Sequence, residues 1–234
     1  MPGARTGVCF TLGTGGNRVP GSPRVDLGEG FVRSGELLQE LRNDVESAYA
    51  ALEKARDSQY LRRCVVRAVF SFIEAAIESV KVELRSTIRC GHFTDPLSDR
   101  ERETLGSLHV IGPRQDKFFP LDQNAKRTFR LAAKIWNLES FRLSTNTEAF
   151  QDFLRAKSAR NRLTHPKTFY DIEVNDHDMH CHTIAGTWVQ AQLGRLYEAR
   201  VRALAKGFPE EEREKFIQEF VGRQRVSGVW RADA

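Results

Sequence analysis

The sequence predicts an all-α protein, an antiparallel bundle of four to five long helices. Three observations carry that prediction. Apolar residues recur at helical steps of three, four and seven through Val66–Leu84 and Ala149–Leu163. Runs of alternating apolar and polar residues, the signal of a half-buried strand, are almost absent. Gly, Pro and Asn/Asp clusters break the chain into segments long enough for helices but too long for strands. Such helices bury their stripes by packing side by side.

The elements follow in order. Residues 1–33 are rich in Gly, Pro and Arg and lack periodicity, and read as a disordered leader or an over-extended start. The helical domain is expected over residues 34–223. Ser34 is placed to cap a first helix ending near Arg56. A longer helix is expected from Ser58 to Arg89. It carries Val66, Phe70, Ile73, Ile77, Val80 and Leu84 on one stripe, and Val65, Val69, Phe72 and Ala76 on another. Two apolar stripes require two neighbours, so this helix should be central. A short helical piece is expected over Ser98–Ser107, a helix over Leu121–Asn137, and another over Ser144–Thr164. An extended connector, Phe169–Val174, precedes a long helix capped by Asn175 or Asp176 and running to Lys206. Pro209 opens a last helix to Arg223, and residues 224–234 form a basic flexible tail.

The 234 residues suffice for one sizeable core. With 40% hydrophobic and 29% charged residues the composition is that of a soluble protein. Net charge is +5, part of it from Arg5, Arg18, Arg24 and Arg33 set against Asp26 and Glu29 in the leader. This balance permits RNA binding without requiring it. Cys9, Cys64, Cys90 and Cys181 show no paired spacing, which suits a reducing compartment. The most apolar stretch, Cys64–Leu84, is interrupted by Arg67, Glu74, Glu78 and Lys81 and cannot span a bilayer unaided. The N-terminus has no compact apolar run of a signal peptide. A cytoplasmic protein without membrane contact is expected. The chain has no internal repeat and no glycine-rich phosphate loop.

The chemistry concentrates at residues 159–168. Ala149, Phe153, Ala156 and Leu163 step by four, three and seven and form a packing seam, and Arg160 lies on it. A guanidinium there must be paired, hydrated or used, because an unpaired buried charge is costly. Pro166 disfavours the α conformation for His165, so the helix should end near Thr164 with the imidazole at its exit. Asn161 lies four residues before His165, where its amide oxygen could hold one imidazole nitrogen. Arginine grips phosphate through two parallel hydrogen bonds, and imidazole changes charge near neutral pH. The set suits phosphate handling; as an ordinary helix terminus, His165 and Arg162 would simply favour the C-terminal dipole.

At Arg160-Asn161-Arg162-Leu163-Thr164-His165 the chain resembles the HEPN superfamily, whose signature is Arg, a polar residue, a short spacer and His at the end of a late helix. Arg67–Glu74 resembles the family's earlier central helix, and the likeness covers roughly residues 34–206. The resemblance implies metal-independent RNA cleavage in a toxin–antitoxin or antiviral defence setting. It implies a homodimer with both motifs facing one groove, and no cofactor. Some members of the family are inactive binding modules, so a non-catalytic helical module for RNA, nucleotide or a protein partner is the alternative. Arg160, Asn161 and His165 are the expected catalytic residues. Glu74, Thr164 and Lys167 are supporting candidates, with Glu74 placed to position Arg160 or to belong to a solvated stripe with Arg67, Ser71, Glu78 and Lys81. The family's toxins that pair with small nucleotidyltransferases carry a tyrosine two residues after the histidine; Lys167 stands there.

Three further groups have two readings each. His177, His180, Cys181 and His182 could bind zinc with help from Cys90 or His92, but no recognised zinc spacing is met, and no metal is expected. Phe118 and Phe119 beside Lys117 could stack bases or fill the core. Arg223, Arg225 and Arg231 belong to a solvated tail or contact RNA.

Overall fold

A computed structural model describes residues 27–106 and 119–226, with side chains over 35–106 and 119–218. Most of the leader, Lys117 and Phe118, Arg231 and the side chains of Arg223 and Arg225 lie outside the described residues. Those described are all helical apart from turns and loops.

Helix α1, Leu27–Lys54, begins upstream of Ser34, which therefore lies within a helix and is not its cap. Leu38, Leu41, Val45, Ala48 and Leu52 repeat at steps of three and four and pack on the core. A tight turn, closed by Ala55 N–H to Leu52 O and Ser58 N–H to Ala55 O, folds the chain back. Helix α2, Gln59–Arg89, then starts at Ser58, whose hydroxyl accepts from the Leu61 N–H. Both of its apolar stripes are buried, Val65, Ile73, Ala76, Val80 and Leu84 completely. α2 packs against α1, α4 and α6, which explains why it carries two stripes. It ends in a reversed turn: Gly91 has φ +72, and the His92 N–H reaches back to Thr87 O.

Helix α3, Asp99–Leu105, is closed by a reciprocal Ser98–Glu101 box. It plugs Leu105 into the core, and Arg85 donates to the Leu105 carbonyl at 2.6 Å. Helix α4, Leu121–Ile135, ends where Asn137 takes φ +53 and the Leu138 N–H bonds Ala133 O. Asparagine tolerates that left-handed geometry better than most side-chain-bearing residues. Helix α5 is Glu148–Thr164, capped by the Thr147 hydroxyl. It starts later than the sequence suggests, because Ser144 is engaged elsewhere. Its N–H bonds Gln192, its carbonyl accepts from Trp188 Nε1, and its hydroxyl accepts from Arg195. The expected extended connector is instead a 3-10 turn, Phe169–Ile172. Helix α6, Asp176–Ala205, opens with an Asn175–Asp178 box, and α7 is Glu210–Val226.

The bundle is not uniformly antiparallel. α1/α2 and α5/α6 are antiparallel hairpins, but α2 and α6 run parallel. Gln59 at the start of α2 bonds Val174 just before α6, while Glu83 near the end of α2 meets Arg200 near the end of α6. Glu83 is the main ionic tie in the interior. It accepts from Tyr197 and Arg200, and the Arg200 guanidinium lies 4.1 Å over the Trp136 ring of the α4 end. Burial raises the Glu83 carboxyl above its ordinary value, against the lowering pull of Arg200. Phe150, Phe153 and Trp188 form an aromatic cluster between α5 and α6, with ring centroids 5.1–5.7 Å apart. Among the described residues no helix is long and apolar enough to cross a membrane.

Candidate functional site

The seam of α5 sets the position of the motif. Phe153 and Ala156 are fully buried on it. One turn further on, Arg160 emerges at the rim with its side chain 31% exposed. It meets Glu74 of α2: Arg160 Nη2 donates to Glu74 Oε1 at 2.6 Å. A short, charge-assisted bond at the rim of a bundle fixes the guanidinium without burying it. Of the two sequence readings of Glu74, the structure places its carboxylate on Arg160.

Asn161 does not hold His165. Its amide oxygen accepts from Arg160 Nη1 at 3.3 Å, so two groups, Glu74 and Asn161, orient the guanidinium. The link from Asn161 to His165 is the last backbone bond of the helix, His165 N–H to Asn161 O at 3.1 Å. Pro166 is the reason. It forces His165 out of the helical basin, to φ −129 and ψ 59, and the side chain leaves the i, i+4 register that would face the amide. His165 is exposed at the helix exit. Thr164 turns its hydroxyl back onto the Arg160 carbonyl at 2.9 Å and serves the helix end. Lys167 contributes its backbone N–H to Asp171 at 2.8 Å, while its side chain is exposed.

The segment after the motif is bound tightly. Asp171 accepts from the Lys167 N–H, the Thr168 N–H and the Thr168 hydroxyl, and these bonds hold its carboxyl below the usual range. This box explains why residues 169–172 coil rather than extend. Arg162 donates to the Tyr170 and Glu173 carbonyls and pairs with Asp178 at 2.9 Å. From α2, Arg63 donates to Ile172 O, and Arg62 donates to Val174 O and pairs with Asp176. The turn is thereby tied to α2, α5 and α6. It holds Phe169 and Tyr170 79% and 76% exposed, beside the motif.

Sequence reasoning passed over three residues here, Tyr60, Arg63 and Tyr170. Tyr60 and Arg63 precede Arg67 and Glu74 on one row of α2 at steps of three and four. That spacing was the signal that could have found them. The exposure of Tyr170 had no such signal, because a 3-10 turn hides no periodic face.

The histidine cluster divides between two surroundings. His182 is buried against the edge of Phe70, its Nδ1 2.5 Å from Asp178 O. Burial lowers its pKa, so Nδ1 carries the proton for that carbonyl and Nε2 is left without a partner among the described residues. Cys181, one residue away, faces Asp152 of α5 at 3.4 Å. Burial, then Asp152, pushes its thiol up to about 11, which makes it a poor thiolate. Adjacent residues diverge by about 100° around a helix. Accordingly, among the described residues no group of three or more His, Cys, Asp or Glu is placed to hold a metal ion. Phe119 lies under the Arg127 guanidinium at 4.2 Å.

Two grooves flank the bundle among the described residues. A groove of about 210 Å³ runs between α1, α2 and α6 past Tyr49, Val69 and His182. A shallower one of about 510 Å³ lies between α5 and α6 past Arg155, Arg162 and His177. Neither includes Arg160 or His165. With Arg160 31% exposed and His165 exposed, the candidate site is an open rim, a shape suited to a polymer and ill suited to enclosing a small molecule. Comparison with protein-family models, with curated proteins and with solved structures gives no match.

Proposed function

We propose that this chain is a HEPN-type, metal-independent endoribonuclease, acting in a toxin–antitoxin or antiviral defence setting. The observation that supports it best is the rim arrangement: an arginine oriented by Glu74 and Asn161, with an exposed imidazole one turn on at the end of the same helix. In the proposed reaction the ribose 2′-oxygen attacks the adjacent phosphorus and the P–O5′ bond breaks. His165 takes the 2′-hydroxyl proton or gives a proton to the departing 5′-oxygen. Arg160 stabilises the charge that builds on the phosphoryl oxygens. The products are a 2′,3′-cyclic phosphate and a 5′-hydroxyl end. A homodimer presenting two motifs to one groove would supply both base and acid.

A second reading has its own observation. Glu74 already occupies part of the Arg160 guanidinium, and a carboxylate there competes with phosphate. Under that reading the chain is a non-catalytic helical module that binds RNA, a nucleotide or a protein partner.

Incubation of the purified chain with generic RNA in EDTA separates the two. The nuclease reading expects cleavage that the chelator leaves unchanged, because imidazole and guanidinium carry the chemistry. It also expects His165→Ala to abolish cleavage while keeping the wild-type melting temperature. Wild-type-like cleavage by His165→Ala, or cleavage that EDTA stops and zinc restores, ends this mechanism.

A further inference from the structure

We infer that Phe169 and Tyr170 form a stacking platform for the bases of single-stranded RNA, joined to the motif by a basic row on α2. This inference rests on the nuclease reading for its direction, from the platform toward Arg160. Among the described residues the exposed aromatic side chains are Tyr60, Phe169 and Tyr170. All three lie at one end of the bundle, where the start of α2 meets the 3-10 turn. Scattered exposed apolar residues are ordinary; exposed rings gathered beside a helix exit are not explained by packing.

The platform is rigid where it is fixed and free where it would bind. Asp171 caps the turn from inside, and Arg162 and Arg63 hold its carbonyls. The two rings stand 6.4 Å apart at 78°, edge to face, and most of each ring's surface meets solvent. Such faces accept any nucleobase, and stacking on them is tolerant of sequence. A duplex keeps its base faces covered, so the partner is single-stranded.

Charge gives the path. Arg63 touches the turn, and Glu74, eleven residues along the same row of α2, touches Arg160. That separation is about 16 Å along a helix, the reach of a few nucleotides. Arg67 lies between them, exposed, and joins no ion pair among the described residues; the Lys167 ammonium beside the platform is likewise unpaired there. Two nearby acids are spent, Asp171 on its backbone bonds and Asp178 on Arg162. Glu173 and Asp176, the latter paired with Arg62 but 92% exposed, remain open to solvent. A strand with its bases on the rings and its phosphates on Arg67 and Lys167 arrives at Arg160.

Fluorescence anisotropy with a labelled, uncleavable 2′-O-methyl oligonucleotide tests this on the full chain. The single strand should bind better than its duplex. The double variant Phe169→Ala/Tyr170→Ala should weaken single-strand binding about tenfold or more, with unchanged melting. Phe169→Trp/Tyr170→Trp should retain binding. Arg67→Ala should lower the salt dependence by about one phosphate contact. Undiminished binding by the alanine double variant overturns the platform, as does failure of the wild-type chain to bind single strands. A change of oligomeric state in the alanine variant also overturns it, by showing that the rings form an interface between proteins. Cleavage by wild type and His165→Ala is scored separately, so loss of the platform and loss of the nuclease reading are distinct results.

Discussion

At the scale of single residues, Arg160 shows why composition of a motif is not its geometry. An arginine on a packing seam has to be compensated, and the compensation comes from Glu74, 86 residues away in sequence. Asn161 turns out to support the same guanidinium rather than the imidazole. The Glu74→Gln variant separates positioning from charge competition. A neutral amide still accepts a hydrogen bond but no longer attracts the guanidinium as an ion. Under the nuclease reading, cleavage should fall about tenfold, mostly in kcat, because Arg160 is less well aimed. Stability should change by less than about 1 kcal/mol, as expected for a pair at an exposed rim. Steady-state cleavage assays and thermal melts measure the two. A rise in cleavage would show that Glu74 acts mainly as a competitor of phosphate.

At the scale of elements, α5 combines a buried half and a functional end. Phe153 is fully buried and packs 5.1 Å from Trp188 of α6. Phe153→Ala should cost about 3–5 kcal/mol, the ordinary range for removing a core aromatic. Denaturant titration should show a lower midpoint, and an effect below about 1 kcal/mol would mean the α5/α6 seam is not the packing axis. Helix starts near Ser58 and Ser98, and at Asn175 or Asp176, were legible because each offers a capping side chain, and the structure selects Asn175. Asn175 and Asp178 complete a box, for example, within four residues of chain. The start of α5 was misplaced by a few residues because Ser144 has the same capping chemistry as Thr147. Only the pull of Gln192, Trp188 and Arg195 decides between them. The turn at Phe169–Ile172 reads as extended in the sequence because Asp171's bonds to Lys167 and Thr168 leave no periodic trace.

At the scale of the whole molecule, the parallel pair α2/α6 is locked by groups that respond to pH. His182 is held neutral between Phe70 and the Asp178 carbonyl, with its pKa below 6.5 chiefly through burial. In the unfolded chain the same ring gains its proton near the ordinary 6.5. Between the two values the unfolded state binds more protons, so acidification favours unfolding. Stability should be fully present above pH of about 6.5 and decline as pH falls through that window. His182→Leu should flatten this part of the curve when melting temperature is followed from neutral to mildly acidic pH. A wild-type slope in that variant would show that His182 does not carry the effect.

The helical class, the central place of α2 and the exit of α5 at Pro166 are written in the chain itself. Each is a matter of local sterics or of periodicity along one segment, and both survive any tertiary arrangement. The chain also marks Arg160 as a charge in need of an answer. What answers that charge depends on how the helices pack. Periodicity states which face of a helix is apolar, not which helix will meet it, so the pairing of α2 with α6 in parallel was not legible. The partners of Glu83, Arg160 and Arg63 lie between 86 and 117 residues away. A hydrogen bond or ion pair acts over a few ångströms of space whatever the distance along the chain. The exposure of Phe169 and Tyr170 follows from the same rule: three arginines and one aspartate draw in the backbone of the turn, and its rings are left outside.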